Sequence, residues 1–295
     1  MLEGVVIRGI AGFYYVKAED LNEYECKARG IFRKEKISPV VGDRVIFELT
    51  DNKHGIITEI KQRKNFLIRP NVANVDQAIV VFSSKNPSPN LNLLDRLLIT
   101  IEHNNIEAIL CMNKSDLDEE GLYNKIQLIY SKAGYKIINT CGVNNIGIDE
   151  INKNLTGKIS VFAGPSGVGK STIFNQLQDK IKMETGDVSL KANRGKHTTR
   201  HAELVEIKSG TYLVDTPGFS SIDLKYIKPE ELQFDFKEFK PYIGMCKFNS
   251  CLHLKEIGCK VKEKVNDGTI SKERYESYTD ILKEIKDLRR GYYGD

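Results

Sequence analysis

Eight consecutive residues, Gly164-Pro165-Ser166-Gly167-Val168-Gly169-Lys170-Ser171, have the spacing G-x-x-x-x-G-K-[ST]. That order of residue types suits a phosphate loop. The glycines let backbone N–H groups curl around a β-phosphate. Lys170 brings a point charge to the β- and γ-oxygens, and the Ser171 hydroxyl is a magnesium ligand, with Thr172 next in the cradle. Asp215-Thr216-Pro217-Gly218 lies 44 residues beyond Ser171. It matches a D-x-x-G element in which Asp215 holds magnesium through water and the Gly218 amide reaches a γ-phosphate.

A third element, Asn113-Lys114-Ser115-Asp116, reads N-K-x-D. The Asp116 carboxylate can accept two hydrogen bonds, from guanine N1 and the exocyclic amine. Adenine cannot offer that pairing, and an unpaired carboxylate is costly, so the base expected here is guanine. Lys114 covers the base face with its stem, and Asn113 ties this loop to the phosphate loop. Taken alone, the tetrapeptide is better read as a surface turn with Asp116 capping a helix. A fourth constellation, Cys246-x4-Cys251-x-His253-x5-Cys259, offers three thiolates and an imidazole, the donor set of a closed structural zinc site. The alternative is a group of buried free cysteines; Cys26, Cys111 and Cys141 are scattered.

These motifs need elements to hold them. With 295 residues, 40% hydrophobic and 28% charged, the chain is long enough for two or three core-forming domains, which excludes disorder and fibres. No run approaches the roughly 18 apolar residues of a membrane helix, and Glu3 and Arg8 interrupt the N-terminus, so a cytoplasmic protein without membrane contact is expected. The net charge of +4 is concentrated N-terminally, with 13 basic against 10 acidic residues in 1–69, a slight excess compatible with nucleic acid.

Short β-rich runs at 4–7, 12–16, 25–29, 42–47 and 55–60 predict a five-stranded barrel of oligonucleotide-binding type. Tyr14, Tyr15, Tyr24 and Phe32 would either stack on bases or pack inward. From residue 69 the pattern becomes α/β with a parallel sheet: apolar strands at 78–82, 106–110, 137–138, 159–163 and 212–214, and a helix carrying Leu91, Leu94, Leu97, Leu98 and Ile101. Each motif then follows a strand, at the sheet edge where ligands bind. The last segment holds the Cys/His cluster and a helix over 271–288 capped by Ser271. The expected domains are 1–68, 69–222 and 223–295.

Order decides how the motifs combine. The guanine element precedes the phosphate loop, whereas in ordinary GTPases it follows, so one site forms only if the domain is circularly permuted. In this the chain resembles the bacterial circularly permuted GTPases of small ribosomal subunit assembly. The likeness runs through Arg69-Pro70, Ala73-Asn74-Val75-Asp76-Gln77, the phosphate loop, Gly195-Lys196-His197-Thr198-Thr199, residues 215–219, the Cys/His cluster and Arg274-Tyr275-Glu276-Ser277-Tyr278.

The resemblance implies an N-terminal barrel, a permuted GTPase domain and a mostly helical C-terminal domain with one zinc ion. It also implies a monomer that hydrolyses GTP with magnesium, engages the 30S subunit and its 16S rRNA late in maturation, and is stimulated by that subunit. Residues 192–200 resemble the first switch, where Thr198 or Thr199 coordinates magnesium, Thr199 being preferred. Phe219 stands where many GTPases have the glutamine that positions water. Either His197 orients that water, or the ribosome supplies the group. The second guanine loop falls near Thr140-Cys141-Gly142, which departs from the usual Ser-Ala-Lys-like pattern while still able to present an amide to guanine O6. A metabolic phosphoryl-transfer enzyme and a non-hydrolysing RNA scaffold are the rival readings.

Overall fold

The computed structural model describes residues 1–34, 37–185, 202–219 and 224–293. Strands β1 (Leu2–Ile10), β2 (Phe13–Ala18) and β3 (Glu23–Ala28), helix α1 (Gly30–Lys34), and strands β4 (Arg44–Leu49) and β5 (His54–Ile60) form the expected barrel. β1 pairs with β2, β2 with β3, β3 in parallel with β5, β5 with β4, and β4 returns to β1 from Leu2↔Phe47 to Val5↔Arg44, so the sheet closes. The first hairpin turns on Ala11 and Gly12, both at positive φ, the conformation a two-residue hairpin turn needs. Closure also needs Gly4, because a Cβ there would lie 2.6 Å from Lys17 O and from a Val16 methyl. Val6, Val16, Tyr24, Cys26, Val45, Phe47 and Ile57 fill the interior. Tyr24 and Phe32 are therefore core residues. Tyr14 and Tyr15 are half-buried, and Tyr15 is overlain by Arg8 with 4.1 Å from guanidinium to ring centre.

Two short strands, β6 (Phe66–Leu67) and β7 (Val72–Ala73), lead into β8 (Gln77–Ser83), α2 (Leu91–His103), β9 (Glu107–Asn113), α3 (Leu122–Ser131), β10 (Lys136–Asn139), α4 (Ile148–Leu155), β11 (Ile159–Ala163), α5 (Lys170–Thr185), β12 (Glu203–Lys208) and β13 (Thr211–Phe219). β8 and β11 are buried at every position, as strands covered on both faces must be. The chain then makes three 3₁₀ turns before α6 (Lys260–Asn266) and α7 (Lys272–Tyr293). Strand β12 is an element that the hydrophobic pattern did not announce. It pairs antiparallel with β13, through a turn at Gly210, and with β1 at Arg8↔Glu203. Among the described residues no helix is long and apolar enough to cross a membrane.

Two compact units result. One comprises Met1–Ala78, Asp149–Phe162 and Ile173–Phe219, with strand order β11-β13-β12-β1-β2-β3-β5-β4. The other comprises Ile79–Ile148, Ala163–Thr172 and Ser220–Asp295, in which β8 neighbours β9 and β10 pairs with β9 in parallel. Within the second unit, Ile99 of α2 joins Phe236, Phe239, Tyr278, Ile281, Leu282 and Ile285 in one core. In the middle of it Arg274 is 1% exposed, donating to Glu238 (Nε to Oε1, 2.7 Å) and Asp95 (Nη1 to Oδ1, 2.6 Å).

Candidate functional site

The phosphate loop leaves β11 and enters α5, as its spacing requires. Gly164 has φ 130°, and a Cβ there would sit 2.0 Å from Val81 O. Gly169, φ 96°, leaves only 2.2 Å between such a Cβ and Asn113 Nδ2. The loop and the guanine element are thus in direct contact. Asn113, 2% exposed at the end of β9, donates from Nδ2 to Val168 O at 2.9 Å, and its Oδ1 accepts the Gly142 N–H at 3.0 Å. One side-chain amide therefore joins its own loop to two others, 29 and 55 residues away in sequence.

Lys170 donates from Nζ to Gly164 O (2.8 Å) and Pro165 O (2.5 Å), and burial lowers its pKa. Gly164 and Val168 are buried while Ser166, Gly167 and Ser171 are exposed, so the loop is anchored at two points and open between and beyond them. Lys114 takes a left-handed backbone, φ 60°; its Nζ donates to Asn86 O and its carbonyl accepts from Ser84 Oγ. The Ser115 N–H donates to Thr140 O at 3.0 Å. Asp116 is exposed on the 3₁₀ turn that follows. It does not cap α3: that role belongs to Asp118, whose carboxylate accepts the Leu122 and Tyr123 N–H groups at 2.8 and 3.0 Å.

At the second guanine loop, the Thr140, Cys141 and Gly142 amides donate to Met112 O, Ile146 O and Asn113 Oδ1. These bonds fasten β10 to the Asn113 loop. Asp215 lies in β13 opposite Glu203 of β12, and Gly218 is the penultimate residue of that strand. Burial, with Asp215 adding to it, raises the Glu203 carboxyl, while Arg8 at 3.5 Å lowers it. Gly195, His197, Thr198 and Thr199 lie outside the described residues.

Cys246, Cys251, His253 and Cys259 converge, their ligand atoms all within 4.8 Å of one another. His253 Nδ1 lies 3.7, 3.5 and 3.3 Å from the three sulfurs, and Cys246 Sγ is 3.9 Å from Cys259 Sγ. Bonds of about 2.3 Å to sulfur and about 2.0 Å to nitrogen give a tetrahedron with edges of roughly 3.5 to 3.8 Å, so the cluster has the size of a closed metal site. Amides of His253, Lys260 and Lys262 point at the sulfurs, and Gln233 Oε1 lies 3.0 Å from His253 Nε2, which places the ring proton there and leaves Nδ1 as donor to a cation. Gln233 carried no signal in the sequence. Tyr275 Oη donates to His253 O at 2.6 Å and Tyr278 Oη to Leu252 O at 3.0 Å, which explains the tyrosines of the Arg-Tyr-x-x-Tyr run.

Comparison with known proteins agrees with this arrangement. The RsgA GTPase family model matches residues 60–225 and the RsgA N-terminal domain model residues 3–57. The chain belongs to the RsgA GTPase family. Among curated relatives, the small ribosomal subunit biogenesis GTPase RsgA of Clostridium novyi is 52% identical over 284 residues, covering 96% of this chain and 97% of that protein. The protein of the same name from Alkaliphilus metalliredigens is 48% identical, covering 98% and 100%. Among solved structures, YjeQ from Thermotoga maritima superposes with a TM-score of 0.85 at 36% identity, covering 96% of this chain and 98% of that one. YloQ, described as a circularly permuted GTPase, gives 0.84 at 40% identity, covering 98% and 96%. The family therefore accounts for both the barrel and the reversed motif order.

Proposed function

We propose that this chain is a GTPase, converting GTP to GDP and phosphate, that acts in biogenesis of the small ribosomal subunit. The observation that carries the chemistry is the Asn113 Nδ2–Val168 O bond, which makes one site of a guanine element and a phosphate loop that occur in reversed order. The assembly role rests on family membership and on the names of the relatives.

In this reading the backbone N–H groups of 164–172, apart from Pro165, which has none, receive the α- and β-phosphates and Asp116 reads guanine, with Asn113, Lys114 and Ser115 shaping its pocket. Lys170 leaves its two carbonyl acceptors to meet the β- and γ-oxygens. Gly218 reaches the γ-phosphate. Ser171, Thr199 and Asp215 are the groups suited to hold magnesium, which when bound neutralises charge on the phosphates. His197 orients the attacking water, since Phe219 has no group to do so. Cys246, Cys251, His253 and Cys259 hold one zinc ion; a full set of four protein ligands leaves no position for catalysis, so the metal keeps the fold. The chain works as a monomer in the cytoplasm, divided at 1–68, 69–222 and 223–295, with the 30S subunit and 16S rRNA as partners late in maturation.

The test is steady-state hydrolysis with and without purified 30S subunits, with ATP and 50S subunits as controls. Turnover of GTP alone, raised by 30S alone, is the expected result. ATP-tolerant turnover indifferent to subunits would return the chain to the metabolic reading, and no turnover at all to that of a scaffold.

A further inference from the structure

One row of side chains crosses from the barrel to Asp215. Strand register places Glu25 of β3 opposite Tyr15 of β2, Tyr15 opposite Arg8 of β1, Arg8 opposite Glu203 of β12, and Glu203 opposite Asp215 of β13. Residues directly opposite in a ladder share a face of the sheet, so all five lie on one face. Contacts follow the row. Tyr15 Oη donates to Glu25 Oε2 at 2.9 Å, the Arg8 guanidinium lies 4.1 Å from the Tyr15 ring centre, and Arg8 Nη1 is 3.5 Å from Glu203 Oε1. Arg8 Nη2 also donates to Glu23 Oε1 at 3.3 Å. Lys17 and Glu206 make a second ion pair between barrel and hairpin, at 3.6 Å, three residues further along β12. Glu203 and Asp215 are like charges side by side, an arrangement that costs stability unless cations flank it. Arg8 is the cation on the barrel side. Burial raises the Glu203 carboxyl, Arg8 lowers it, and Asp215 raises it again.

We propose that Glu203 and Arg8 are positioning residues that set how tightly Asp215 holds magnesium, so that the barrel tunes magnesium affinity. The residues fit a divalent cation, because two neighbouring carboxylates with one guanidinium between them keep a net negative charge, and hard cations take oxygen ligands. Glu203 adds its charge beside Asp215 and strengthens the attraction, which needs no direct contact since Coulomb forces act across the width of a strand. Arg8 opposes it by holding the Glu203 carboxylate on the barrel side. The terminal torsion of a glutamate is broad, so a Glu203 released from its guanidinium turns toward Asp215 and the cation. The proposal rests on the reading of Asp215 as the magnesium-holding carboxylate and adds what regulates it.

The experiment titrates magnesium into the full chain with a fluorescent, non-hydrolysable GTP analogue and reads the half-saturating magnesium concentration. Glu203→Gln is expected to raise that concentration about fivefold and Arg8→Met to lower it about fivefold, the scale of one charge at a half-exposed site. Arg8→Lys, which keeps the charge, should behave as the wild type. In a Glu203→Gln background Arg8→Met should have little further effect, because the two residues act as a pair. Lys17→Met breaks the neighbouring ion pair and should leave the concentration unchanged. An unchanged value in Glu203→Gln, or an equal shift from Arg8→Met with and without Glu203, would overturn the proposal. So would a Lys17→Met variant that shifts as far as Arg8→Met, since any barrel cation would then serve. Asp215→Asn separates the two levels of the argument. Loss of the magnesium dependence in that variant upholds the reading of Asp215, so that failure of the other variants counts against Arg8 and Glu203 alone. Without that loss, both fall.

Discussion

Single atoms decide several properties of this site. Gly169 faces Asn113 with no room for a methyl group, so Gly169→Ala is expected to drive Asn113 off Val168 O and weaken GDP binding at least about tenfold, with helix content unchanged by circular dichroism. Nucleotide titration checks it; an alanine variant that binds GDP normally would mean that the three-loop junction is dispensable. Arg274 is the converse case, a buried charge satisfied by two carboxylates and stacked 4.5 Å from the Phe236 ring centre. Arg274→Met would leave Asp95 and Glu238 buried without their cation, and a loss of about 3–5 kcal/mol in unfolding free energy is expected by denaturant titration. Tyr130, which also donates to Asp95, cannot replace the positive charge.

At the scale of elements, the Ala73-Asn74-Val75-Asp76-Gln77 run acts as a staple. Asn74 Nδ2 donates to Gly42 O, Asp76 Oδ2 accepts the Ile159 N–H at 2.7 Å, and Gln77 Nε2 donates to Asn154 O and Ser160 Oγ. The run therefore fixes β11, the strand that launches the phosphate loop. The Cys/His loop has little regular structure of its own, and its core is shared with α2 and α7. Removing metal with a chelator is expected to release one zinc per chain and to lower the melting temperature, with tyrosine fluorescence reporting the loss around Tyr275 and Tyr278; Cys251→Ser should have the same effect without chelator. A pH effect belongs to the second 3₁₀ turn after β13, Leu232–Asp235. Burial pushes Asp235 up to about 6, while His103 at 3.1 Å lowers it. The folded state thus holds that proton more tightly than the unfolded chain, whose carboxyl titrates near 4. Stability from this group is full below about pH 4 and is lost as pH rises through about 6. Asp235→Asn should therefore gain on the wild type by about 2–3 kcal/mol between pH 4 and pH 7, read as the difference between their unfolding free energies.

For the molecule as a whole, the permutation has a mechanical consequence: the D-x-x-G strand runs on directly into the segment that carries the Cys/His cluster. If barrel and metal module both contact rRNA, their contacts reinforce one another through effective concentration, and a γ-phosphate that orders the switches strengthens both. The GTP-analogue form is accordingly expected to bind 30S subunits at least about fivefold more tightly than the GDP form, a change within the usual range of allosteric coupling. Equal affinity in a pelleting assay would remove that coupling. His197→Ala is expected to reduce hydrolysis, free and subunit-stimulated, by about 10²-fold or more, the scale of a general base.

The phosphate loop, the guanine tetrapeptide, the Cys/His set and the five barrel strands were all legible in the chain. Phosphate cradling and base reading need particular residue types at fixed short spacings, and a half-buried strand must alternate. The reversed order of the motifs made permutation legible as well. Strand β12 was not, because six residues with mixed charges acquire strand character only from β13 and β1 beside them. Nor was the Cys141 contact with Asp116, or the Arg274 pairing with Asp95 and Glu238 across 179 and 36 residues. Those depend on which backbone segments a fold brings side by side. Local chemistry is written in neighbouring residues, whereas the partner of a buried thiol or guanidinium is chosen by packing, and only the tertiary structure decides that.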